Sequence, residues 1–140
     1  MPVTSMKQMW ALLEVYSKRP NGQPRPVNHV NEWGGYSRRL NMSVFTGWQD
    51  HTTFDKETKT TTSKVSDTTW HGTVGVNNQE YWLMYAEQNN DAIAAFFIIQ
   101  ATDVNANPRK VKYITADKVF VGKIVRDGTA TYIVGQPKFL

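Results

Sequence analysis

A chain of 140 residues carries 16 Lys+Arg against 12 Asp+Glu, a formal net charge of +4, and contains no cysteine. That length fits one globular domain over 1–140, with enough chain to bury a core without covalent staples. The absence of cysteine excludes disulfides, thiolate metal sites and a cysteine nucleophile, while a pI near 9.4 leaves an anionic partner such as nucleic acid open.

In chain order, the first expected element is a helix over 5–17. Met6, Met9, Trp10, Leu13 and Tyr16 fall at helical spacing, Ser5 and Gln8 make a capping box, and Pro20 stops the run. This helix is expected to plug the open side of a sheet. The segment "RPNGQPRPV" then reads as a loop. In "EWGGYSRRLN", Gly34 and Gly35 sit between Trp33 and Tyr36 and precede Arg38 and Arg39. The glycine pair predicts a bend or bulge at the entrance to the sheet. It also lets backbone approach a ligand closely.

Leu40, Met42, Val44, Thr46 and Trp48 alternate as in a half-buried strand. The Thr- and Lys-rich stretch 49–69 predicts either an exposed hairpin turning near 55–57 or a mobile loop. Trp70, Gly72, Val74 and Val76 alternate again. Asn77-Asn78-Gln79 then reads as a turn, and "EYWLMYAE" as the returning strand. "DAIAAFFIIQATD" is apolar on both faces and predicts the central strand, with a short helix over 87–95 as the competing reading. "DVNANP" reads as a loop and "RKVKYI" as a short strand. Alternating residues on both sides of Asp127-Gly128 predict a hairpin. The sum is a mainly β (α+β) domain, with an N-terminal helix packed on a curled antiparallel sheet or small β-barrel of seven or eight strands.

The longest apolar run, 92–99, is far shorter than the ~20 residues of a membrane-spanning helix. No basic segment with an apolar core follows Met1. The expectation is a soluble, cytoplasmic protein with no membrane partner.

Three chemistries are weighed. His29, His51 and His71 lie about twenty residues apart and lack short-range ligand spacing, so neither a metal nor another cofactor is expected. Asp50, His51 and His71 are candidate acid–base residues, with Asp50 orienting a histidine. Asp55 and Glu57-Thr58-Lys59 have the carboxylates and lysine that metal-dependent nucleases use. No G-x-S-x-G, P-loop or G-x-G-x-x-G occurs. Basic residues fall in groups, among them Lys56, Lys59 and Lys64, and Lys118, Lys123 and Arg126.

The leading reading is a nucleic-acid-binding module with a basic rim around an aromatic pocket that would recognise a base. Arg38 and Arg39 would hold phosphates, Arg109 and Lys110 would add secondary contacts, and Trp33, Tyr36 and Trp48 would stack bases. A small enzyme, nuclease or other hydrolase, at the same pocket is the alternative. A protein-interaction domain using an exposed sheet edge is the third. The bland counterpart is a half-exposed sheet with charges at alternate positions and aromatics as ordinary sheet formers.

Overall fold

The computed structural model describes residues 5–18, 24–26, 33–70, 73–106 and 110–140. The elements are α1 (Met6–Leu12), β1 (Val15–Lys18), β2 (Pro24–Pro26), β3 (Gly34–Ser37), β4 (Met42–Trp48), β5 (Thr52–Asp55), β6 (Thr60–Asp67), α2 (Thr73–Asn89), β7 (Ile93–Ala101), β8 (Val111–Ile114), β9 (Lys118–Asp127) and β10 (Ala130–Phe139). A short 3-10 turn, Gln49–His51, joins β4 to β5. The protein is mainly β, of α+β type. Among the described residues all ten strands join one sheet, in the order β2-β1-β3-β4-β7-β9-β10-β6-β5, with β8 alongside β7. No helix of the described residues is long and apolar enough to cross a membrane.

Four expectations are corrected. The sheet is mixed rather than antiparallel, because β4 and β7 pair in parallel, Val44 opposite Ala95 through Trp48 opposite Ile99. It is also not a closed barrel, since β2 and β5 are its two ends. The N-terminal helix stops at Leu12, because Glu14 takes a left-handed backbone (φ 54°) and starts β1. Finally, 73–89 is a helix and not a turn and returning strand.

The central strand is β7, with β4 on one edge and β9 and β8 on the other. Its unbroken apolar run follows from its position, since both faces are covered. On the outer face, Ala95, Phe97 and Ile99 join Val44 and Val119 beneath Met9 and Trp10 of α1 and Leu13 just after it. Trp10 meets Phe97 edge-on at 5.2 Å. On the inner face, Ala94 and Phe96 join Phe45, Phe120, Ile124 and Ile133 beneath Trp82, Leu83 and Ala86 of α2. Each of these large buried side chains contributes roughly 1.5–3 kcal/mol of burial free energy.

The sheet curls until β6 returns to β4, although β7, β9 and β10 lie between them in the hydrogen-bonding path. The contact is side chain to backbone and not a ladder. A Cβ on Gly47 would lie 2.5 Å from Ser63 Oγ and 2.9 Å from the Phe96 ring, so glycine is what lets β6 approach. Thr52 Oγ1 donates to Trp48 O (2.7 Å) and shares a hydrogen bond with Ser63 Oγ (2.9 Å). The predicted Asp127-Gly128 turn is present, with Gly128 at φ 61°. It joins β9 and β10, which pair over their whole lengths.

Helix α2 is fixed at both flanks of the curl. Arg126 on β9 donates to Glu80 (2.9 Å) and Glu87 (2.7 Å), which lie two turns apart on α2, and to Thr131 Oγ1 (3.0 Å). Asn78 holds the opposite flank through β3, described below.

Candidate nucleic-acid interface

The stretch 33–41 is a corner of the fold. Gly34 and Gly35 form no bulge. They pair in register with Phe45 and Val44 inside β3, which corrects the expected bend. A Cβ on Gly34 would lie 2.7 Å from the Phe45 ring. The Trp33 and Gly34 N–H groups donate to Asn78 Oδ1 (2.9 and 2.8 Å), and Asn78 Nδ2 donates to Gly34 O (3.0 Å). The Asn78 amide thus stands in for a neighbouring strand.

The residues proposed from sequence separate into different surroundings. Arg38 stacks over the Tyr16 ring at 4.8 Å. Arg39 Nη1 instead donates to Leu12 O at the end of α1 (3.2 Å). Tyr36 packs on the inner-face cluster, near Trp82 and Tyr85, and its hydroxyl donates to Asn41 Oδ1 (2.6 Å). Burial, followed by the neighbouring Tyr85 and Tyr16 hydroxyls, raises its pKa. Trp48 packs on the outer-face cluster. Trp33 meets Trp70 edge-on at 6.4 Å. Lys110 is exposed beside β8. Arg109, His29 and His71 lie outside the described residues.

A second constellation forms where β5 begins. The His51 ring stacks on Trp70 (5.6 Å, 22°) and His51 Nε2 lies 3.5 Å from Asp50 Oδ2. Lys64 Nζ sits over Trp70 at 5.5 Å and 3.4 Å from Asp67 Oδ2. Hydrogen bonds from the Thr69 hydroxyl and backbone N–H lead the causes that lower the Asp67 pKa to about 2. Among the described residues no three His, Asp or Glu side chains gather as a metal-binding group.

The third place is the mouth of the curled sheet, beyond the end that α2 covers. Strand register puts its side chains on the inner face. Phe54 is opposite Thr61, Thr61 opposite Gly135, Pro137 opposite Phe120, and Phe139 opposite Lys118. An open depression of about 590 Å³ is lined by Phe54, Lys56, Lys59, Gln136 and Pro137. Phe54 is 61 % exposed and Phe139 70 %. Lys118 Nζ lies 5.6 Å from the Phe120 ring centre and 5.8 Å from that of Phe139, held as a cation between two rings.

Lys56 and Lys59 line this depression and Lys118 stands beside Phe139, whereas Lys138, opposite Val119, alternates to the outer face. Asp55, Glu57 and Asp117 are the acids on the same segments. Asp55 Oδ1 turns back into the hairpin, accepting from the Glu57 N–H (2.9 Å) and the Thr58 N–H (3.4 Å). The aromatic pair was missed in the sequence. Its signal was a lone Phe54 within a threonine- and lysine-rich hairpin, where no core position requires a large ring.

Comparison with known proteins gives no match: no family model, no curated protein and no solved structure is significantly similar to this chain.

Proposed function

We propose that this protein is a nucleic-acid-binding module whose interface is the mouth of the curled sheet. The supporting observation is the exposed Phe54 ring with Lys56 and Lys59 in one depression, and a second exposed ring, Phe139, beside Lys118 further along the same face. Lysines supply the salt-dependent attraction to phosphates, and solvent-facing rings supply stacking surface for bases. The same chemistry first suggested Trp33, Tyr36, Trp48, Arg38 and Arg39. Their divergent surroundings favour the mouth, where charge and ring surface face one space.

The test is a titration of labelled single- and double-stranded oligonucleotides over a salt series, with the parent chain and with Lys56→Gln combined with Lys59→Gln. Binding at low salt should weaken linearly on a log–log plot, and the double variant should bind more weakly with a shallower slope. No binding at low salt overturns the reading. Loss of binding in Arg38→Ala with Arg39→Ala, and not in the lysine variant, returns the interface to the Arg38–Arg39 corner.

A small hydrolase or nuclease is the second reading, and the stack of His51 on Trp70 beside Asp50 favours it. A histidine paired with a carboxylate is the arrangement general acid–base chemistry uses. Loss of a measured hydrolytic activity in His51→Ala, with the fold intact, would establish it.

A further inference from the structure

The mouth's geometry carries the nucleic-acid reading one step further, to the strand state of the ligand. Phe54 and Phe139 are on the same inner face, and both rings are mostly in solvent. Exposed phenylalanines stack on bases only where base faces are free. In a duplex those faces are covered by neighbouring base pairs, and only edges and backbone are offered.

Spacing gives the second constraint. From Phe54 the pairing passes through Thr61 to Gly135, and Phe139 is four residues further along β10. At ~3.3 Å per residue and ~4.8 Å per strand, the two positions are roughly 13 Å apart along the strands and roughly 10 Å across them. The diagonal of roughly 16 Å matches roughly five stacked nucleotides at a rise of ~3.4 Å each. Lys118 stands beside one ring, and Lys56 and Lys59 in the turn that follows the other, so each end of that path has a cation for phosphate.

We propose that the mouth binds single-stranded nucleic acid, with Phe54 and Phe139 as two stacking platforms at the ends of a segment of roughly five nucleotides. This rests on the nucleic-acid reading above.

The experiment is fluorescence anisotropy with the whole chain at low salt. Oligothymidylates of increasing length are compared with a mixed-sequence single strand and its duplex. Single-strand affinity should rise with length to roughly five nucleotides and then level off. The duplex should bind at least ~10-fold more weakly. Phe54→Ala and Phe139→Ala should each weaken single-strand binding by ~5- to 100-fold. Circular dichroism and thermal melting confirm that each variant keeps its fold.

Equal binding of duplex and single strand overturns the strand-state inference and leaves the nucleic-acid reading in place. So does unchanged affinity in both phenylalanine variants while the lysine double variant loses binding. Absence of binding to either form overturns both.

Discussion

Phe54 on β5 and Thr61 on β6 are direct cross-strand partners, yet Phe54 is 61 % exposed while Thr61 is 6 % exposed. The hairpin therefore overhangs the core: its inner strand is covered and its outer strand is not. Phe54→Ala should change folding stability by no more than about 0.5 kcal/mol, as surface substitutions do. Phe96→Ala, at the buried centre of the same face, should cost about 3–5 kcal/mol. Urea unfolding of the two variants checks the contrast. A large loss with Phe54→Ala would mean that this ring is part of the core.

Lys59 holds a left-handed backbone (φ 56°) in the turn between β5 and β6, where glycine has no steric penalty. Lys59→Gly should therefore raise stability or leave it unchanged, with a backbone gain of up to about 1 kcal/mol. It should also weaken oligonucleotide binding. Thermal melting and anisotropy on the same variant check the pair of outcomes. Unchanged binding would remove Lys59 from the interface.

Asn78 satisfies two backbone donors and one acceptor of Trp33 and Gly34 from within α2. Asn78→Ala should destabilise the domain by about 2–4 kcal/mol, because stranded buried polar groups cost about 1–3 kcal/mol each and water recovers part of the loss. Denaturant unfolding measures it. Amide exchange at Trp33 and Gly34 should accelerate in step.

Asp67 provides the acid dependence. Its carboxyl pKa falls from 3.8 to about 2, chiefly through the Thr69 hydrogen bonds, so folding favours its ionised form. A group with a depressed pKa stabilises the fold above its unfolded pKa, and that contribution is lost as pH falls through the folded value. The stability gap between the parent chain and Asp67→Asn should be full at pH 5 and shrink between about pH 4 and pH 2. A gap independent of pH over that range would contradict the ionised role. The measurement is urea unfolding of both proteins across the range.

Local signals in the sequence were legible where a short stretch decides its own structure. Asp127-Gly128 set the β9–β10 turn, and the two-sided apolar run of β7 announced a strand covered on both faces. Of the two forms expected for the Thr-rich stretch, exposed hairpin or mobile loop, it takes the hairpin, but only β5 is exposed while β6 is largely buried. Helix α2 was hidden because its buried face includes Asn78 and Gln79, two polar residues of the kind that mark turns. Asn78 is buried for a long-range reason, to serve the edge of β3, and no local pattern encodes that. The parallel β4–β7 pair was hidden likewise, since its partners are separated by β5, β6 and α2. For the interface, sequence proximity of Trp33, Tyr36, Arg38 and Arg39 was misleading. Strand alternation and the α1–β1 corner send neighbours in sequence to different surroundings, whereas the mouth collects Phe54, Lys118 and Phe139 from distant segments.

The most direct measurement is a backbone-amide NMR titration of the whole chain with an unlabelled hexathymidylate at low salt. Binding at the mouth predicts shifts concentrated at Phe54, Lys56, Lys59, Lys118 and Phe139, with Arg38, Arg39 and Trp70 unmoved. Shifts confined to the Arg38–Arg39 corner or to the His51–Trp70 stack, or no shifts at all, would contradict it.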